Sequence, residues 1–257
     1  MTYDVIARAR RRRNRFLAVC LTAAAVAGST VTAVIILAAG TPSLRTTDEA
    51  APPPVTATTA AVVSPAAGDA GGGALPDDLV WNELAGIAVP VSARSGPHDD
   101  AAGLARGFTH DAGGAVLAAV HIVVRANPQV GSAIFDPTLR DQVVGPGATP
   151  MREQVAQVYT QMREQAGAAD GEPLGSLAAT LRGYQLTGYR PDTAVVRLLT
   201  EASGPTGELV QAVSQVQMVW TGEDWALQAP LSGRFEETMS AASPADVAAF
   251  QPFSPGR

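Results

Sequence analysis

Phe16 to Ala39, FLAVCLTAAAVAGSTVTAVIILAA, is a run of 24 residues without a charge. As an α-helix it would be about 36 Å long, against a bilayer hydrocarbon core of about 30 Å. Arg8, Arg10, Arg11, Arg12, Arg13 and Arg15 stand directly before it, with Asp4 the one acid among residues 1–15. Basic residues flanking a membrane helix stay on the cytoplasmic side. These six arginines therefore determine an orientation: a cytoplasmic tail over 1–15, a transmembrane helix over 16–39, and everything from residue 40 outside the cell membrane. The charge follows the same division, because the tail carries +5 and the remaining twelve arginines against twenty-three acids give −11. Lysine is absent, and Ala, Gly and Val abound, which is the mark of a GC-rich genome and not of a function.

Three other readings of the apolar run compete with a retained anchor. A cleaved signal peptide has an apolar core of about 7–15 residues, shorter than this one, although Leu37-Ala38-Ala39 would suit cleavage. A lipoprotein signal would place a small residue before Cys20, where Val19 stands. In a twin-arginine signal, Arg12-Arg13 would stand one residue closer to Phe16-Leu17. With Cys20 inside the bilayer, the outer part contains no cysteine and must be held by its own core.

Residues 40–80 read as a disordered linker. The stretch TPSLRTTDEAAPPPVTATTAAVVSPAAGDAGGG is rich in Pro, Ala, Thr and Gly and has no aromatic residue, so it cannot bury enough apolar surface to offset ordering. A flexible chain of this length would span about 30–40 Å.

The extracytoplasmic domain is expected over residues 81–257. Asp136-Pro137, Thr149-Pro150 and Ser243-Pro244 each pair a capping side chain with proline, a helix-start signature. The first predicts a short helix ending at Gly145-Pro146. The second opens a helix with Met151, Val155, Val158 and Met162 on one face and a stop at Gly167. The third closes the chain with a short helix to about Phe250. GGAVLAAVHIVVRAN predicts a central buried helix from about Gly113 to Asn127, because it is apolar nearly all round; a strand over HIVV is the alternative. After Gly183 the period becomes two. YQLTGYR, TAVVRLLTEA and ELVQAVSQVQMVW predict strands, the last with Val210, Ala212, Ser214, Val216, Met218 and Trp220 on one face. Thr221-Gly222-Glu223-Asp224 would then turn the chain and set Trp220 opposite Trp225. The order gives an α+β fold, with helices packed on a curved antiparallel sheet.

Chemistry-bearing motifs are scarce. The histidines His98, His110 and His121 all fall between Gly96 and Pro128, near Asp99, Asp100 and Asp111. No HExxH is present and no cysteine is available to a zinc site in the domain. Thr109 or Asp111 is better read as a helix cap, His98 as a loop residue, and His121 as one polar side chain on a buried helix. No GxSxG motif occurs, and GPGATP lacks the lysine of a phosphate loop. No catalytic residue, cofactor or metal is expected. The charge of −11 disfavours nucleic-acid binding by the outer domain. His121 and Arg125 stand four residues apart on the central helix; a pocket between that helix and the sheet would be lined by them with Tyr184, and Tyr159 is a further candidate for an ionisable pocket residue.

An arginine-rich tail, one membrane helix, a linker, and helices followed by a long antiparallel sheet resemble the assembly factors of type IV secretion and conjugation machines. WNELAGIAVPVSARSGP, GFTHDAGGAVLAAVHIVVR and VWTGEDWALQAP also resemble a family of single-pass membrane proteins of high-GC Gram-positive bacteria associated with conjugative elements. The first resemblance implies a cone-like domain of the nuclear-transport-factor kind, a structural role, protein partners in a membrane complex and homo-oligomeric contacts. The function expected is a non-enzymatic, membrane-anchored scaffold. Its rival is an anchored small-molecule-binding or isomerase-like pocket protein of the same fold.

Overall fold

A computed structural model describes residues 75–204 and 207–253. The six tail arginines, the 16–39 run, Cys20 and the linker as far as residue 74 lie outside the described residues. Packing begins ahead of Trp81: Leu79 is buried and Leu75 rests on the core, so the end of the expected linker belongs to the domain.

The first element is a hairpin, β1 (Val80–Leu84) and β2 (Ile87–Val91). Its two-residue turn, Ala85-Gly86, has positive φ at both positions, 50° and 87°. Asn-Gly or Asp-Gly usually marks such a turn, and alanine in its place leaves the hairpin unannounced in the sequence. A side chain at residue 86 would also crowd Ser176, whose Cβ would stand 2.8 Å from the added Cβ.

Helix α1 (Ala112–Arg125) is the expected central helix, and HIVV lies in its last turns and not in a strand. Asp111 is its cap: the Gly114 N–H donates to Asp111 Oδ1 at 2.7 Å. Every residue from Gly114 to Ile122 is buried. The sheet covers one side of the helix and β2 covers another, which is why its sequence is apolar all round.

Helix α2 (Ser132–Asp141) corrects one expectation. Asp136-Pro137 does not open it; Pro137 lies inside, and the helix starts after Gly131. Proline cannot donate to the carbonyl four residues back, that of Ala133. Gly103 packs close to that same carbonyl, with room for no Cβ. Asp136 is engaged elsewhere, accepting from Arg152 Nε at 2.9 Å. The helix also ends before Gly145-Pro146, because β3 (Val143–Val144) leaves to join the sheet. Helix α3 (Ala148–Ala166) begins one residue before the expected Thr149 cap. Pro150 does no harm in its first turn, where N–H groups have no intrahelical partner. Gly167, at φ 64°, ends it as expected.

The remaining strands are β4 (Ala179–Arg190), β5 (Thr193–Ser203), β6 (Leu209–Trp220), β7 (Trp225–Gln228), β8 (Met239–Ala241) and β9 (Gln251–Pro252), with α4 (Pro244–Ala249) before the last. The sheet order is β3-β7-β6-β5-β4-β9, with β8 also on β6. Only the β3–β7 pair is parallel among these. Register shifts between Leu181 and Gly183 and between Leu186 and Gly188 bend β4, as bulges do, and the sheet curves. Trp220 faces Trp225 across the hairpin, with ring centroids 5.5 Å apart.

The inner face of the sheet follows the expected alternation: Ser214, Val216 and Met218 are buried, and Val210, at the strand's open end, is 38 % exposed. The outer face is not wholly solvated. Leu199 and Val213 form a second small core with Phe250. Helix α4 holds this patch closed through a capping box at Ser243 and Asp246 and an ion pair from Arg197 to Asp246 at 2.8 Å. Changing Ser243 to Ala should cost about 1 kcal/mol, lowering the thermal midpoint by roughly 2–4 °C in a domain of this size. A scan of the full-length chain in detergent showing no shift would mean that α4 does not depend on its cap.

Candidate functional site

Two concavities flank α1. The first opens between α1, the β1–β2 hairpin and the loop carrying His98 and Asp100, and has a volume of about 710 Å³. His121 and Arg125 line it, with Trp81 and Glu83 from β1. The i, i+4 spacing along α1 puts the two α1 residues side by side, and Arg125 Nη1 lies 2.7 Å from His121 Nδ1. On its other side His121 Nε2 lies 2.7 Å from the Pro90 carbonyl oxygen. A carbonyl only accepts, so Nε2 carries the proton and Nδ1 accepts from the guanidinium. Burial, aided by the Arg125 charge, lowers the His121 pKa from 6.5 to about 3. The imidazole is therefore neutral at neutral pH. Arg125 is 8 % exposed; burial lowers its pKa to about 10 while the Asp100 charge opposes that shift, so it remains a cation.

The second concavity, about 410 Å³, lies between the end of α1, α3 and the inner face of β4, β5 and β6, with β8 at its rim. Its walls are mainly apolar, including Val124, Met151, Val155 and Leu177. Glu236 and Gln154 are among its few polar side chains, and they bond each other at 3.3 Å. This is the space between helix and sheet in which a pocket was expected, and its lining differs from expectation. His121 and Arg125 face the hairpin instead. Tyr184 lies toward the chain's described ends: its hydroxyl accepts from the Leu75 N–H at 3.1 Å and its ring meets Phe253 at 5.2 Å. Tyr159 packs on Phe135 and donates to the Glu172 carbonyl at 3.1 Å. Of the four candidate residues, the structure brings together His121 and Arg125, and neither tyrosine lines either concavity.

The other histidines separate. His98 lines the first cleft. His110 stacks on Trp220 at 4.0 Å and bonds the Pro191 carbonyl at 2.6 Å, closing one end of the sheet. Among the described residues no three His, Cys, Asp or Glu side chains converge as metal ligands. Asp224, in the Thr221–Asp224 turn, is half-buried and accepts from the N–H groups of Gly107, Phe108 and Trp225. Burial raises its pKa against those bonds. Its task is to tie the loop before α1 to the sheet.

A family model described as a domain of unknown function, DUF8175, matches residues 44–251, most of the chain. The chain belongs to the DUF8175 family. No curated protein and no solved structure matches it. The DUF8175 match runs from upstream of Leu75 into β9, so both concavities lie within the family's domain. The family description carries no chemistry of its own, and the functional reading rests on the residues that line those two spaces.

Proposed function

We propose that this DUF8175 protein is a membrane-anchored scaffold. In this reading the 16–39 segment stays in the bilayer with the arginine tail inside, the linker gives reach, and a cone-like domain stands outside, docking partner proteins of a conjugation or secretion apparatus. The observation that carries it is the apolar concavity under the sheet, whose rim residues Val210 and Met239 are large, apolar and 38 % and 43 % exposed. Exposed apolar surface at the mouth of an apolar cleft is a feature of protein-binding sites. Support for the anchor is the uncharged run itself; none of the described helices is long and apolar enough to cross a membrane.

Two measurements test this. Protease added to intact cells should degrade the domain while sparing the tail. A photo-crosslinking residue at Met239 should capture a protein of a membrane complex. A domain that resists protease until the cells are lysed, or a chain recovered from the medium starting at Gly40, would end the scaffold reading.

The same cavity also favours a second reading, an anchored binder of a small apolar molecule, since about 410 Å³ falls in the range of small-molecule sites, about 300–1,000 Å³. An isomerase-like version would have to use Glu236, because His121, Tyr159 and Tyr184 are placed elsewhere. A hydrophobic ligand released from the purified full-length chain would favour this reading, and a crosslinked protein partner the first.

A further inference from the structure

We infer that the cleft between α1 and the β1–β2 hairpin is a binding site for a short peptide with free ends, its carboxylate held by Arg125 and its ammonium group by Asp100 and Glu83. This site is separate from the apolar concavity and does not depend on the membrane reading. The inference starts from the state of the guanidinium. Arg125 is 8 % exposed, yet among the described residues it has no carboxylate within ion-pair distance. Its Nη1 donates to a neutral imidazole, and its Nε is buried with no acceptor. Asp100 favours the cation from a distance without pairing with it; a buried charge left without a direct partner is unfavourable, and a buried donor without an acceptor adds to the cost. A ligand carboxylate in the cleft supplies the missing ion-pair partner, and guanidinium is the side chain best suited to hold one.

His121 positions that cation. Its ring is fixed by the Pro90 carbonyl at one nitrogen and holds Arg125 Nη1 with the other, both at 2.7 Å. The guanidinium is thus anchored before any ligand arrives, which reduces the ordering cost of binding.

The rest of the lining decides against a simple anion. Asp100 and Glu83 are exposed in the same cleft as Arg125, and among the described residues neither is in an ion pair. Two acids and one cation would repel a ligand that carried only negative charge. A ligand with a positive group as well as a carboxylate satisfies all three. Trp81 lines the cleft and is part-buried, offering an aromatic surface for an apolar side chain. The volume of about 710 Å³ leaves room for more than one residue.

The test is calorimetric titration of the full-length chain in detergent with the dipeptides formed from Ala, Leu and Phe, each also prepared as its C-terminal amide and its N-acetyl derivative. At least one free dipeptide should bind saturably. Its amide should bind roughly tenfold more weakly, a loss of about 1.4 kcal/mol, and Arg125→Met should impose a similar loss on the free peptide. Asp100 is exposed, so Asp100→Asn leaves the core alone; it should weaken the free dipeptide at least roughly threefold, about 0.6 kcal/mol, and not weaken the N-acetyl form. Failure of every dipeptide to bind at millimolar concentration overturns the inference. So does an amide that binds as well as the acid, or an Asp100→Asn effect that is the same with and without the acetyl group.

Discussion

Replacing Trp225 by Ala should destabilise the domain by about 3–5 kcal/mol, the range for removing a large aromatic side chain from a core. Trp225 is 1 % exposed and is among the largest fully buried side chains. Its ring meets Trp220 and His110 edge-on at 5.5 and 5.8 Å, and its Nε1 donates to the Thr109 carbonyl at 2.9 Å. The indole therefore joins the β6–β7 hairpin to the loop that enters α1, and alanine would leave both a cavity and an unmet carbonyl. Against a total stability of about 5–15 kcal/mol, the loss is a large fraction. Urea denaturation of the full-length chain in detergent, followed by circular dichroism, should show a midpoint far below that of the wild type. Trp225→Phe restores most of the volume without the donor and should fall between the two. A midpoint for the alanine variant within about 1 kcal/mol of wild type would mean that the tryptophan does not hold these elements together.

Acid should weaken the fold well before the bulk of the carboxylates titrate, and His121 should be the reason. Its pKa is 6.5 in an unfolded chain and about 3 in the folded one, mainly because burial disfavours the imidazolium and secondarily because Arg125 repels it. Between these values the unfolded chain binds a proton that the folded chain does not. Stability is then greatest above pH 6.5 and falls as the pH drops toward 3, by up to about 1.4 kcal/mol per pH unit. The full loss is on the order of 4–5 kcal/mol by the same linkage. Asp246 acts in a different window: its partners Arg197 and Ser243 lower its pKa from 3.8 to about 2, so its share is lost only as the pH falls through that lower range. Denaturation midpoints measured at intervals from pH 7.5 to pH 4 should slope steadily for the wild type and be nearly flat for His121→Gln, where the amide can still donate to the Pro90 carbonyl without titrating. A slope that is the same in both proteins would assign the acid sensitivity to other groups.

The elements that were legible from the sequence are those set by neighbours in the chain. Ser243-Pro244 does open a helix and Gly167 does end one, because a cap needs only the next few backbone groups. Trp220 and Trp225 do face each other, because a four-residue turn leaves no other register to a hairpin. The α+β class followed from the change of period after Gly183. Asp136-Pro137 misled because its capping signature is identical in a helix start and in a helix interior; what differs is Gly131 upstream and Gly103 across the contact. The β1–β2 hairpin went unseen because Ala85 takes a backbone conformation that its side chain does not advertise.

The site divides along the same line. His121 and Arg125 were legible as a pair because helical spacing alone makes them neighbours. That they face a hairpin some forty residues upstream, with Trp81, Glu83 and Asp100 opposite, depended on how β1 and β2 fold over α1. Tyr159 and Tyr184 had the right chemistry but the wrong positions, one under α2 and the other beside Phe253. By itself the sequence determined the cap that opens α4, the glycine that ends α3, the apolar face of the long strands and the distribution of charge along the chain, since these follow from local geometry and composition. Only the tertiary structure decided which side chains share a cleft, because that depends on long-range register and on contacts between segments whose separation along the chain carries no distance information.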